Sequence, residues 1–265
     1  MTRLTEKDIA TVTEQLEALD ATFDKMCGAG LREIAARASG VSPDLPALRT
    51  AVVPVTAGLG KIHGFSSAVC AILRYIGADA FVTTHTDVAG IYEAYEKGAA
   101  CLFCADDARY MAVHRKTGKY SDNGDATGRG FAAALELAAG SLFQEEVLVA
   151  GAGPVGRAAA AYLSGCGARV TLLDHNPAQL QDLPWAVRTD LSNAQYRYIL
   201  EATPSRQVIC AEHVTPDGIV TAPGILLGIE AGLAQRLMQQ ERLIHNPLEL
   251  GTAVMYADMF APCTA

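Results

Sequence analysis

The chain has 265 residues, half of them apolar, and carries 29 acidic against 21 basic side chains, a net charge of −8. That balance excludes a polyanionic partner such as nucleic acid, which needs a basic footprint, and the composition excludes a disordered or low-complexity chain. No apolar run reaches the roughly 20 residues of a membrane span, and the opening MTRLTEKDIATV lacks the apolar core of a signal peptide, so the expectation is a soluble cytoplasmic protein with no membrane partner.

The first predicted element opens on Thr5-Glu-Lys-Asp8, which reads as a capping box. Ile9, Val12, Leu16, Leu19, Phe23 and Met26 then recur at helical spacing, one continuous stripe. A stripe of this kind packs on its own domain or forms the seam of a homodimer. A shorter helix, LREIAARASG, ends on Gly40.

After the loop VSPDLPALR the pattern alternates. AVVPVT is strand-like and runs into the glycine-rich turn GLGKIHG. FSSAVCAILRYIG is helical and ends on Gly77. AFVTT is strand-like, VAGIYEAYEKG helical, and AACLFCADD strand-like. The order β-α-β-α-β predicts a parallel sheet with covering helices. SDNGDATGRG reads as a loop before the helix FAAALELAAGSLF, and a domain boundary is placed near residue 140. Residues 1–140 then form a helical and α/β substrate domain, and residues 141–265 a second domain.

That second half opens with EEVLVAGAGPVGRAAAAYL. A strand runs into Gly151-Ala-Gly153-Pro154-Val155-Gly156 and then into an alanine-rich helix. Further strands follow in ARVTLLD, YRYILEATP and GIVTAPG, and ERLIHNPLELGTAVMYADMF closes as a strand or loop and a helix. The glycine pattern follows a strand and opens a helix, and Asp174 ends the next strand, so the dinucleotide fingerprint is met in context. Gly151 allows the tight turn, Gly153 lets backbone approach a diphosphate, and Gly156 lets the helix pack closely. The Asp174 carboxylate accepts from ribose hydroxyls and repels a 2′-phosphate, so the cofactor expected is NAD. Ala202-Thr203-Pro204 and Pro223 lie at later strand ends, where ligands of open parallel sheets bind. The fold class predicted is therefore α/β, a C-terminal Rossmann dinucleotide-binding domain joined to an N-terminal α/β domain with parallel strands.

Seven cysteines, Cys27, Cys70, Cys101, Cys104, Cys166, Cys210 and Cys263, make an odd count that fits reduced thiols. Cys101-x-x-Cys104 lies inside an apolar strand with no second pair to complete a zinc site, so buried strand thiols are expected and no metal.

The strand ends of the first domain are the natural place for chemistry. Val55 and Thr56 end its first strand, and the helix starting near Phe65 has Ser66 and Ser67 in its first turn, a polar cradle for a carboxylate or carbonyl. Asp106 and Asp107 end the third strand. Asp107 reads as a helix N-cap, and Asp106 as the acid that holds an amine or accepts its proton. His114 is a further candidate to take that proton, though a lone His there reads as structural by default, and Lys61 and His63 either contact a substrate carboxylate or face solvent.

VPVTAGLGKIHGFSSAVCAI, TDVAGIYEAYEKGA and CADDARYMAVH, with the N-terminal LTEKDI, ATP at 202–204, APG at 222–224 and PLELGTA at 247–253, resemble the pyrrolysine synthase family over most of the chain. The resemblance implies NAD-dependent oxidation of the terminal amine of 3-methyl-D-ornithyl-Nε-L-lysine, with ammonia loss and closure to the pyrroline ring. It implies that Leu4, Val55, Thr56, Phe65, Ser66, Ser67 and Asp106 surround this small-molecule substrate, Asp106 being catalytic. The chain departs from the family at Asn246, where a glutamate is expected, while Glu249 stands three residues later. Two alternatives stay open: a dehydrogenase of another amino acid or diamine, and a non-catalytic NAD-binding sensor.

Overall fold

The alternation of the first half folds around a mixed sheet. The computed structural model describes residues 4–246 and 248–262. Its elements run α1 (Glu6–Ile9), α2 (Val12–Cys27), α3 (Leu31–Ser39), β1 (Arg49–Pro54), α4 (Phe65–Tyr75), β2 (Asp79–Val82), α5 (Asp87–Glu96), β3 (Cys101–Ala105), β4 (Tyr110–His114), β5 (Tyr120–Asp122) and α6 (Asn123–Ala139). They continue β6 (Glu146–Ala150), α7 (Pro154–Gly165), β7 (Arg169–Leu173), β8 (Ala186–Arg188), β9 (Tyr196–Glu201), β10 (Val214–Ala222), α8 (Ala231–Gln239), β11 (Leu243–His245) and α9 (Glu249–Asp258). Contacts divide the chain into two units. The first holds the described residues up to Asp20, Leu31–Ala126 and those from Leu248 onward; the second holds Ala21–Gly30 and Thr127 to Asn246.

The continuous N-terminal stripe breaks at Ala10 and Thr11. The Thr11 carbonyl accepts from the N–H groups of Glu14 and Gln15 and so restarts the helix as α2. The break falls at the start of the β-branched run Thr11-Val12-Thr13, which has low helix propensity. Ile9, Val12, Leu16, Phe23 and Cys27 are buried while Leu19 and Met26 are half-buried. Helix α1 starts directly after Thr5. The side chain of Asp8, and all of Pro247 and Cys263, lie outside the described residues.

In the first unit the strand order is β2-β1-β3-β4-β5. Strands β1, β2 and β3 are parallel, as alternation with helices requires. Beyond them β4 and β5 add an antiparallel hairpin and edge that the sequence reading did not anticipate. The β3–β4 turn, Asp106-Asp-Ala-Arg109, carries no Gly or Pro signal; instead Asp106 closes it by accepting from the N–H groups of Ala108 and Arg109. Helix α5 covers one face through Ala94, which packs with Ala51, Val53 and Ala99. The chain's last helix, α9, belongs to this unit and is buried at every position. Tyr256 fastens it by accepting from Leu48 N–H at 2.9 Å and donating to the Pro46 carbonyl at 2.7 Å. Asp258 accepts from the hydroxyls of Ser39 and Ser121 at 2.8 and 2.6 Å.

The second unit has an all-parallel sheet of order β11-β10-β9-β6-β7-β8. Counted from β6 this is the 3-2-1-4-5-6 order of a doubly wound dinucleotide-binding fold, with its switch point between β6 and β9. Strand β8 and helix α8 were not read from the sequence. The stretch read as the loop SDNGDATGRG is mostly helix: α6 begins at Asn123. Its glycine at 128 serves packing rather than chain reversal, because a Cβ there would lie 2.2 Å from the Val155 carbonyl oxygen. Leu148, Ile199, Val220, Leu233 and Leu237 form the core between this sheet and α8.

Cys27, Cys70 and Cys101 are buried, Cys104, Cys166 and Cys210 half-buried, and all six are free thiols. Cys101 and Cys104 stand three apart on β3, so they face opposite sides of the sheet. No helix among the described residues is long and apolar enough to cross a membrane.

Candidate functional site

The first unit holds a pocket at the carboxyl ends of β1 and β3. Leu4, Val55, Phe65, Ser66 and Asp106 line it together. Its floor is aromatic: Tyr110 stacks edge-on against Phe65 at 5.4 Å between ring centres and lies 6.3 Å from Phe103. Tyr110 is fully buried, and its hydroxyl pairs with Thr252 Oγ1 of α9 at 2.9 Å. Burial pushes its phenol above its usual range, so it stays neutral.

Asp106 stands exposed at the rim. The N–H groups of Arg109 and Ala108, at 2.7 and 2.8 Å, hold its carboxyl below the usual carboxylate range. It is therefore a fixed anion near neutral pH. Asp107 is not a helix cap, since a strand follows. Its carboxylate accepts from Leu59 N–H and ties the glycine-rich loop to the β3–β4 turn. Gly58, beside that carboxylate, has φ +71°, a left-handed conformation that favours glycine.

In the second unit a wider pocket opens over the switch point. Gly151, Gly153, Pro154, Asp174, Thr203 and Pro204 line it, with Ala202 beside them. Gly151 has φ +101° and approaches the Ala202 carbonyl so closely that a Cβ would sit 2.7 Å from it. A Cβ on Gly156 would lie 1.8 Å from the Gly151 carbonyl oxygen, so only glycine lets α7 start against the turn. A Cβ on Gly153, by contrast, would meet nothing within 4 Å. That open space, at the N-terminus of α7, is a cradle fitted to a diphosphate.

Residues 8–121 match the family described as pyrrolysine biosynthesis protein PylD, N-terminal domain, and residues 127–226 match the alanine dehydrogenase/PNT C-terminal domain. Over 261 residues the chain is 33% identical to the pyrrolysine synthase of Methanosarcina acetivorans, covering 96% of this chain and 98% of that protein. The same identity holds over 265 residues with the enzyme of Methanosarcina barkeri, 96% and 97% covered. The chain belongs to the pyrrolysine synthase family. Shikimate dehydrogenase from Aquifex aeolicus shares the fold, with a TM-score of 0.53 and 16% identity over 83% of this chain and 94% of that one. This pyrrolysine synthase relative is an oxidoreductase that takes a nicotinamide cofactor.

Of the remaining residues singled out in the sequence, all but Lys61 sit apart from the two pockets. Thr56 is exposed and engaged elsewhere, donating from N–H and hydroxyl to Asp87 at 2.8 and 2.7 Å. Ser67 is exposed and does not line the pocket that Ser66 lines. Val155 and Pro223 do not line the second pocket; the Val155 carbonyl lies against Gly128 of α6. Lys61 lines the first pocket and His63 does not. His114 pairs with Cys101 at the opposite end of the β3–β4 hairpin from Asp106 and accepts from Thr117 N–H at 3.2 Å. Glu249 is buried in the first turn of α9, accepts from Leu248 N–H and does not line the pocket; burial pushes its carboxyl up. Asn246 is buried at the end of β11.

The sequence reading missed Phe103 and Tyr110 as pocket floor. Their signal was present, since both are aromatic positions beside the Asp106 turn. It also missed Asp190 and Glu212 as walls of the second pocket, one on a loop and one in a single 3₁₀ turn (Ala211–His213), both too short for periodicity to show.

Proposed function

We propose that this protein oxidises the terminal amine of 3-methyl-D-ornithyl-Nε-L-lysine with NAD⁺, releases ammonia and forms the pyrroline ring of pyrrolysine. The observation that carries this reading is the pocket of the first unit, an aromatic and aliphatic trough ended by the Asp106 carboxylate. Such a trough suits a substrate with an apolar chain and an ammonium terminus.

For the cofactor, NAD rather than NADP is supported by charge. Asp174, Asp190 and Glu212 line the second pocket, and no Lys or Arg does among the described residues. Two nearby guanidinium groups, those of Arg157 and Arg188, are spent on backbone. Arg157 donates to the carbonyls of Ala152 and Gln179, and Arg188 to those of Asp190 and Ser192. A 2′-phosphate would meet anions with no cation to offset them.

When bound, the nicotinamide ring supplies the hydride acceptor. The Gly151–Gly156 turn would hold the diphosphate and Asp174 the adenosine ribose. An alkyl ammonium has a pKa near 10.4, so the substrate arrives protonated and must lose a proton before hydride leaves its carbon. Asp106, kept anionic by its turn, orients that ammonium. The same low pKa makes it a weak base, and its exposure gives the proton a path to solvent. Hydride loss leaves an iminium on the terminal carbon. The α-amine of the ornithine part adds to that carbon, ammonia leaves, and the cyclic imine remains. The closure is intramolecular, so holding the chain folded is most of the catalysis it needs.

The test is NADH absorbance and released ammonia when the purified chain meets NAD⁺ and the lysine–methylornithine conjugate. Both signals are expected in equal amounts. Turnover with ornithine or lysine but not the conjugate would make the protein another amine dehydrogenase. NAD⁺ binding without turnover of any of them would make it a sensor.

A further inference from the structure

Glu201 ends β9 and is fully buried. Nothing in the reaction above uses it, and no cation among the described residues holds it. Its partners are backbone N–H groups and one hydroxyl. Oε1 accepts from Thr203 N–H at 2.7 Å and from Thr203 Oγ1 at 2.5 Å. Oε2 accepts from Gly228 N–H at 3.0 Å. Its surroundings leave no slack: a Cβ on Gly228 would lie 2.4 Å from the carboxylate, and one on Gly224 would lie 3.6 Å from Oε2 and 3.1 Å from the Thr203 carbonyl. Burial pushes this carboxyl up, and the three donors pull it back. A buried acid of this kind costs stability that an apolar side chain of similar size would not, so its placement calls for a reason.

The donors come from two different segments. Thr203 follows β9 and Gly228 follows β10, its parallel neighbour. In a doubly wound sheet of this order, the adenosine half lies over β6, β7 and β8, and the nicotinamide half over β9 and β10. Glu201 thus joins the two strand-end segments that would flank the nicotinamide half. It also fixes the rotamer of Thr203. The Thr203 proton goes to Glu201, its oxygen accepts from Ser205 N–H at 3.3 Å, and its methyl faces the glycine turn, 3.3 Å from where a Gly151 Cβ would stand.

We infer that Glu201 is the positioning residue of the nicotinamide half of the cofactor site, pinning the Thr203–Pro204 turn to the 224–228 segment and setting which face Thr203 presents to the pocket. This rests on the cofactor reading above, and the experiment separates the two.

The experiment is calorimetric titration of the purified full chain with NAD⁺ and, separately, with ADP. ADP carries the diphosphate and adenosine ribose that the glycine turn and Asp174 would hold, but no nicotinamide. Glu201→Gln keeps the size but sets an amide N–H against Gly228 N–H. It is expected to weaken NAD⁺ roughly tenfold, the size of one lost charge-assisted hydrogen bond, while ADP affinity stays within about twofold of the parent. Thr203→Val removes the hydroxyl that donates to Glu201 and accepts from Ser205 N–H but leaves the carboxylate its two backbone donors, so it carries the test if Glu201→Gln fails to fold; a smaller loss for NAD⁺ alone is expected. Equal losses for both ligands, or none for either, overturn the inference and leave the cofactor reading standing. A parent chain that binds neither ligand overturns both.

Discussion

The Asp174 carboxylate accepts the backbone N–H of Ala152 at 2.9 Å, so the acid after β7 is fastened to the middle of the glycine turn after β6. Its second oxygen accepts Asn176 N–H at 2.9 Å. The acid is half-buried and its orientation is set before any ligand arrives. Asp174→Arg removes both acceptors and puts a cation where a 2′-phosphate would lie. NAD⁺ affinity should fall by about tenfold or more, as expected for losing charge-assisted hydrogen bonds to a ribose, and NADP⁺ should gain relative to it. Titration of both cofactors checks this; an unchanged preference would remove Asp174 from the ribose site.

The glycines of the turn divide into two kinds, and alanine tells them apart. At Gly156 a Cβ would overlap the Gly151 carbonyl, 1.8 Å away, so Gly156→Ala must push α7 off the sheet. It should lower stability by about 1–3 kcal/mol, the usual range for overpacking, and lose cofactor binding with it. At Gly153 no protein atom lies within 4 Å of the added Cβ. Gly153→Ala should leave the urea midpoint near that of the parent and still weaken NAD⁺, because the methyl intrudes only where the diphosphate would sit. Equal stability losses in the two variants would contradict this division.

At Asp106 the structural and the chemical task are separable. Both hydrogen bonds from the β3–β4 turn fall on Oδ1. Asp106→Asn keeps an oxygen there for Ala108 and Arg109 and removes only the charge. Turnover should drop on the order of a hundredfold, within the range for losing one positioned acid–base group, with NAD⁺ affinity unchanged. Asp106→Ala also opens the turn and should in addition lower the thermal midpoint. An Asn variant as active as the parent would transfer the amine-holding role to another group.

How much of this was legible in the sequence depended on whether the signal was local. The Gly151–Gly156 turn, Asp174 and the strands around them are written in contiguous residues, and Gly151, Gly153, Pro154 and Asp174 line one pocket. The gathering of Leu4, Phe65 and Asp106 followed from the family resemblance, because their separation in the chain carries no pattern of its own. Helix α6 was misread at its start since Gly124, Gly128 and Gly130 carry the composition of a loop. Only the approach of α7, seen at Gly128 and Val155, explains the glycine at 128 inside a helix. The return of α9 to the first unit was invisible for the same reason: its anchors, Tyr256 to Leu48 and Asp258 to Ser39, span more than two hundred residues. The antiparallel β4 was lost because an aspartate, not a glycine, makes its turn.

The first unit also carries an acid whose effect on stability has a definite sign. Glu93 of α5 is buried and accepts from His85 N–H at 2.9 Å, Lys97 Nζ at 2.7 Å and Thr84 N–H at 3.1 Å. The His85 N–H first, then the Lys97 ammonium and the Thr84 N–H, hold its carboxyl well below the usual carboxylate range. An unfolded glutamate titrates near 4.3, so between that value and the lower folded one the unfolded chain binds the extra proton. Glu93 therefore stabilises the fold fully above the unfolded pKa, and its contribution fades as pH falls toward the folded one. Asp87 and Asp106 act in the same direction, while Glu201 and Glu249, pushed up by burial, act in the opposite one. The parent's pH curve alone mixes these, and the difference between parent and Glu93→Gln isolates one. Urea unfolding followed from about pH 7 to pH 3, across the unfolded carboxylate range, should show the variant less stable at neutral pH. The two curves should converge as the pH drops. Curves that stay parallel throughout would mean that Glu93 titrates alike in the folded and unfolded chain.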